Sequence, residues 1–297
     1  MQKPNLISYL NLFLLAAIWG SAFFNYKIVL RNYDYFILAG GRLLFATFFF
    51  IFLSIIFFRK IKLMNFFSKD FYLFFFIGLF NYVIPFIFIG IGISNMSSGL
   101  AALLMSAGPF YAIILSHYFT DDKFNKFKFI GVCLGFFSVI ILVYDNIYLT
   151  KTTNFISVIF VLMASFFYVL GGLLIKKLII NYNNETIISF SIIWATLIIS
   201  PLVFLFSKIE YDKLLHLESI FSLIYLGIVS TAIAFFVRAK IIEQNGLIFM
   251  SQVSLLIPIF GIFFSYFFLS EKLYLSMAIS LIFIILGLLL VQRGYKN

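Results

Sequence analysis

Two stretches, Phe71–Ile93 and Leu247–Leu269, each run for 23 residues with few polar side chains and no alternation of apolar with polar. A helix needs about 20 apolar residues to cross a hydrocarbon layer roughly 30 Å thick, whereas a barrel strand needs about 10 and alternates. Inside a bilayer no water satisfies the backbone, so runs of this kind must bond within their own helices. Composition agrees. The chain of 297 residues is 64% hydrophobic and 11% charged, with 44 Phe and 17 Tyr, against about 25% charged in soluble domains. The 21 basic and 11 acidic side chains are too few to cover a soluble fold. An all-α integral membrane protein is expected, and the soluble classes are excluded.

Charge clusters and short polar breaks divide the chain into ten transmembrane spans, near 9–29, 36–58, 71–92, 96–118, 127–145, 154–176, 186–206, 218–238, 247–269 and 273–291. The first follows Lys3 but is too long for a signal-peptide core and has no clear small-x-small cleavage site, so it is read as a span. With a cytoplasmic N-terminus, 14 Lys and Arg fall on the inner side and 6 on the outer, Arg42 being set aside within span 2. The positive-inside bias therefore predicts both termini in the cytoplasm. The net charge of +10 reads as a topology signal and an anionic-lipid contact, not as a nucleic-acid footprint.

Sliding the chain on itself by 149 residues aligns Gly78 with Gly227, Pro109 with Pro258, Ser116 with Ser265 and Phe119 with Phe268. The same offset places Asp122-Lys123 on Glu271-Lys272, Lys27 on Lys176, and Asn81-Tyr82 on Ser230-Thr231. One shared offset carrying Pro, Gly and an acid-Lys dipeptide marks an internal repeat. The halves are 1–148 and 149–297 with five spans each. Five is odd, so the second half enters the membrane from the opposite side, giving a 5+5 inverted repeat. Secondary transporters are commonly built this way, with the site near the midplane between the halves.

With Trp19-Gly20-Ser21 in span 1, Pro109 in span 4, Pro258 in span 9, and Asp122 and Glu271 just past those two spans, the chain resembles the EamA-type branch of the drug/metabolite transporter superfamily. The resemblance covers essentially the whole sequence. It implies a central cavity lined by spans 1, 3, 4, 6, 8 and 9, with spans 5 and 10 peripheral. It also implies outward movement of small metabolites, often amino acids, across the bacterial inner membrane. Two features depart from the family pattern: Tyr168 stands in span 6 where span 1 has Trp19, and Asp121-Asp122 replaces the Gly-Glu pair common after span 4.

Polar residues inside a bilayer face protein or water, which directs attention to a small set. Gly78, Asn81, Tyr82 and Pro85 fall on one face of span 3, and Gly227, Ser230, Thr231 and Ala234 repeat that face on span 8, with Arg238 continuing it. Either the stripes bind substrate or they pack helices. Ser21 and Asn25 share a face of span 1; Trp19 is a candidate aromatic gate or an interfacial anchor. Ala102, Ser106 and Pro109 align on span 4; Ser251, Leu255 and Pro258 align on span 9, with Gln252 beside them as a substrate donor or acceptor. The two prolines are expected to kink their helices and act as hinges. Asp122-Lys123 and Glu271-Lys272 read as water-facing caps or as gate-side ion pairs. Arg42 is expected to snorkel outward or to meet backbone carbonyls, countering an anionic substrate being the alternative. Gly131 and Gly135, with Gly287, suit close packing of spans 5 and 10, with a homodimer as the alternative to a monomer.

Other classes find little support. His117 and His216 lack ligand spacing, and the single Cys133 reads as an apolar filler, so neither a metal nor another cofactor is expected. No P-loop pattern occurs. No Asp or Glu lies within a span except at its ends, so flux driven by the substrate gradient and membrane potential is expected instead of a proton relay. A membrane-embedded lipid or prenyl transferase would need Asp121-Asp122 and a second acidic motif, which is absent. The remaining expectation is a carrier for a neutral or zwitterionic small molecule, with lipid as the other partner and no nucleic acid.

Overall fold

The structure is a computed structural model that describes residues 5–56, 69–119, 125–151, 153–178, 181–207, 216–245, 249–250 and 252–294. Among these it contains helices and connecting turns only. Nine helices are long and apolar enough to cross a bilayer: α1 (Leu6–Val29), α2 (Tyr35–Leu53), α3 (Asp70–Ser94), α4 (Ser98–Tyr118), α5 (Lys126–Leu149), α6 (Phe155–Leu178), α7 (Asn184–Phe206), α8 (Leu217–Ile242) and α10 (Leu275–Gly294). The remaining one, α9 (Val253–Leu269), is shorter at 17 residues. It begins six residues later than the apolar run at Leu247 predicts, just after the polar Gln252.

Short side chains fix where several helices start. The first N–H groups of a helix have no partner in the preceding turn. Here Asn5 accepts from Ser8 N at 3.0 Å, Asp34 from Phe36 N and Ile37 N at 2.8 and 2.9 Å, and Asn125 from Lys128 N at 3.0 Å. Asn154 and Asn183 do the same for α6 and α7. Each such cap is worth about 1 kcal/mol.

The packing obeys the repeat residue by residue. A methyl group on Gly78 would come within 2.9 Å of Ser191 O, 3.0 Å of Ala195 N and 3.1 Å of Trp194 Cβ. One on Gly227 would come within 2.7 Å of Arg42 O, 3.2 Å of Ala46 N and 2.6 Å of Phe45 Cβ. Adding 149 to residues 42, 45 and 46 gives residues 191, 194 and 195. The α3–α7 and α8–α2 contacts are therefore one contact, used twice. Across α5 and α10, Gly131 abuts the Gly287 carbonyl, while their mates Ser280 and Ser138 bond through the Ser280 hydroxyl to Ser138 O at 3.1 Å. Thr47 and Thr196, 149 apart, meet hydroxyl to hydroxyl at 2.8 Å. A residue that touches its own mate lies on the pseudo-two-fold axis.

The close approach of Gly131 to the Gly287 backbone is satisfied within the chain. Gly135 faces the Phe110 ring, not α10. Around the bundle, large apolar side chains such as Phe48, Phe129, Ile140, Phe204 and Leu286 point outward, as lipid contact requires. Cys133 is exposed on α5. Three apolar clusters fill the interior, and Tyr168 packs against two of them.

Candidate functional site

At matching places, α3 and α8 each contain one wider turn. The N–H of Ile84 bonds to Leu79 O, five residues back, through Leu79–Val83; the mirrored turn is Ile228–Ile233. The causes differ. Pro85 sits just after the first turn and has no N–H to give. In the second, the Thr231 hydroxyl itself donates to Leu226 O at 2.9 Å, competing with the backbone. Both turns bury three consecutive residues: Asn81, Tyr82 and Val83 on α3, and Ser230, Thr231 and Ala232 on α8. An ordinary helix would spread these over more than half its circumference. Such turns are frequent at functional sites.

Thr231 anchors the centre. It accepts from Arg42 Nε at 2.7 Å, and the same guanidinium donates from Nη1 to the Tyr26 hydroxyl at 2.9 Å. Its carbon lies 3.9 Å from the centroid of Phe86 and 5.5 Å from that of Tyr26. Arg42 is 5% exposed and has no carboxylate partner among the described residues. This corrects the expectation of outward snorkelling: the side chain turns inward and meets hydroxyls and aromatic faces instead of backbone carbonyls. Tyr82 stands edge-on to Phe86 and tilted against Phe235. Tyr168, on α6, is partly buried and packs between two of the apolar clusters. The amide nitrogen of Asn81, enclosed beside Tyr82, has no hydrogen-bond partner, nor does the Ser230 hydroxyl.

The remaining candidates divide. Trp19 is half-buried and edge-on to Phe235 at 6.1 Å, so it flanks this cluster. Ser21 and Asn25 do share a face, but their donors are occupied. Ser21 donates to Ile18 O and bonds the Tyr225 hydroxyl at 2.7 Å; Asn25 donates to Ser21 O. Ser106 donates to Ala102 O at 3.2 Å where α4 breaks after Met105. Pro109 stands just past that break, in the first turn of the resumed helix Gly108–Phe119. Pro258 does sit inside α9. Gln252 stands at the N-cap position of α9. Tyr26, Phe86, Tyr225 and Phe235 escaped the sequence reading. Tyr26 is two helical turns from Trp19, on the same face, and that spacing was the available signal.

At the face of the bundle opposite the termini, Glu271 reaches across the halves. Its carboxylate accepts from Ser98 N at 2.9 Å, Ser98 Oγ at 3.1 Å and Gly99 N at 3.3 Å, and also from the Ser265 hydroxyl. It caps α4 from the α9–α10 loop, as a negative charge at a helix N-terminus should. Lys27 caps the other side of the same junction, donating to Ile93 O and Met96 O at 2.8 Å each. Lys27, Met96 and Glu271, with Asn95, Ser97, Lys272 and Tyr274, border a cavity of about 430 Å³. Glu271 is thus a cap between halves and forms no ion pair with Lys272. Asp121, Asp122, Lys123 and Ser251 lie outside the described residues. Among the described residues no cluster of His, Cys, Asp and Glu could hold a metal ion.

The chain is similar to known proteins over nearly its full length. The model of the EamA-like transporter family matches twice, over residues 6–144 and 155–293. A probable amino-acid metabolite efflux pump of Escherichia coli (strain K12) is 24% identical over 95% of this chain and 94% of its own. An uncharacterized transporter of Archaeoglobus fulgidus is 27% identical over 93% and 95%. A solved protein structure aligns over 99% of this chain and all of its own with a TM-score of 0.69 at 13% identity, which shows a shared fold. The chain belongs to the EamA-like transporter family, within the drug/metabolite transporter superfamily.

Proposed function

We propose that the protein is a secondary carrier that exports small metabolites such as amino acids across the bacterial inner membrane, with both termini cytoplasmic. The observation that carries this reading is the buried polar group of Arg42, Tyr26, Asn81, Tyr82 and Thr231, set between two repeats that share helix contacts under a 149-residue shift. Two related halves that use the same contacts can exchange roles, opening the centre first to one side and then to the other. The efflux pump of Escherichia coli, related over nearly the full chain, supports export and amino acids as cargo. Units 1–148 and 149–297 are the rocking bodies, and the Glu271 cap holds the face opposite the termini closed in the conformation described.

Substrate flux follows the solute gradient and membrane potential. Among the described residues the Asp and Glu side chains stand near helix ends or in turns, which supports flux without a buried carboxylate as proton carrier. The test is an amino-acid and metabolite panel on proteoliposomes, comparing wild type with Asn81→Ala and Tyr82→Ala. At least one neutral or zwitterionic solute should cross, each variant should slow it at least fivefold, and a protonophore at zero potential should leave the wild-type rate unchanged. A panel in which nothing crosses, or in which the variants match wild type, would sink the reading.

A further inference from the structure

We infer that Arg42 is a docking point for the carboxylate of the transported solute. The inference deepens the carrier reading and rests on it for how solute reaches the buried group.

Symmetry separates what packing needs from what it does not. The backbone of residue 42 lies against Gly227 as the backbone of residue 191 lies against Gly78. In the second half that position is filled by Ser191. A small residue is therefore sufficient for the helix contact, and the guanidinium is an addition confined to one half. Its cost is high: a cation buried among apolar helices with no acid to balance it is retained only where something repays the desolvation. Two of its five N–H groups are bonded, to Thr231 and Tyr26, which hold the plane of the group in place. The other N–H groups have no hydrogen-bond partner among the described residues, and a guanidinium edge suits a carboxylate with two parallel bonds. The Ser230 hydroxyl, next in chain to Thr231, and the Asn81 amide nitrogen, next in chain to Tyr82, are buried and also lack partners. The surroundings are aromatic: Phe86 and Tyr26 lie against the guanidinium, Tyr82 packs on Phe86, and Phe235 packs on Tyr82. Such a site selects a solute with one carboxylate and an apolar or aromatic body.

The test is equilibrium binding of radiolabelled phenylacetate to the full-length protein in lipid nanodiscs, with unlabelled phenylacetate, L-phenylalanine and phenylacetamide as competitors. Phenylacetamide keeps the shape and removes the charge. In wild type, phenylacetate or L-phenylalanine should compete at least tenfold better than the amide; which of the two is stronger tells a simple anion from an amino acid. Arg42→Gln should abolish that preference and Arg42→Lys should keep part of it, since a point charge remains without the planar fork. Arg31→Gln, which removes an exposed cation paired with Glu218, should leave it unchanged. A role for Arg42 as a structural tie alone would leave the carboxylate-to-amide ratio unmoved. Equal competition by acid and amide in wild type, no binding of any of the three, or a preference kept in Arg42→Gln overturns the inference. Should Arg42→Gln not fold, the wild-type ratio and Arg42→Lys still decide. Carboxylate preference without flux in proteoliposomes counts against the carrier reading alone; flux without carboxylate preference counts against this inference alone.

Discussion

Thr231 shows how one hydroxyl performs two tasks. As acceptor it holds Arg42 Nε; as donor it satisfies Leu226 O and widens the helix around itself. Replacing it with valine keeps the volume and removes both bonds, leaving a buried guanidinium N–H unpaired. Losing a hydrogen bond to a charged group costs about 2 kcal/mol, so Thr231→Val should lower the unfolding midpoint of the purified protein by several degrees. An unchanged midpoint would mean that water or another group takes over the Arg42 contact. At this scale the sequence is legible only in part. Asn81, Tyr82, Ser230 and Thr231 are visible as polar interruptions of apolar runs, and all four are buried. Arg42 is not readable in the same way: its depth in span 2 is countable, but its partner Thr231 is 189 residues away. Nothing local says which way the side chain turns. Ser21 and Asn25 teach the converse, since their spacing is right while their hydrogen-bonding capacity is spent on Ile18, Tyr225 and the helix backbone.

Helices follow hydropathy where length decides and depart from it where hydrogen bonding does. Most span limits lie within a few residues of the expected ones, because a polar or capping residue stands at each change: Asp34 before α2, Asn125 before α5, Asn183 before α7. The wide turns in α3 and α8 and the break in α4 are invisible to hydropathy, since all three leave apolar content unchanged. They come from missing or competing donors at Pro85, Thr231 and Pro109. Close helix contacts allow a sharper expectation. On α5, a methyl at Gly131 would meet the Gly287 carbonyl at 2.6 Å, whereas on α6 a methyl at Gly172 meets nothing within 4 Å. Gly131→Ala should therefore cost about 1–3 kcal/mol through overpacking, and Gly172→Ala should be neutral or stabilising by up to about 1 kcal/mol through helix propensity. Melting curves of the two variants beside wild type check this. Equal shifts would mean that the α5–α10 seam relaxes without penalty.

For the molecule as a whole, the repeat divides contacts into two kinds with different fates. A contact between a residue and its own mate, such as Thr47 with Thr196, lies on the axis and maps onto itself when the halves exchange roles. In the proposed rocking, a contact off the axis, such as the Glu271 cap on Ser98 and Gly99 beside Ser265, belongs to one state and must break for that face to open. Two disulfides, each built after replacing the single Cys133 by serine, separate the kinds. Thr47→Cys with Thr196→Cys links α2 to α7 on the axis. Gly99→Cys with Ser265→Cys links α4 to α9, where a Cβ on residue 99 stands 3.4 Å from Ser265 Cβ, close to the spacing of a disulfide. Under oxidation the first pair should keep most of the transport rate and the second should lose nearly all of it, with both restored by reductant. The reduced second pair controls for crowding at Gly99, whose methyl would lie 3.1 Å from Ser265 Oγ. If the axial link stops transport while the α4–α9 link permits it, the halves do not rock about the axis that their shared contacts define.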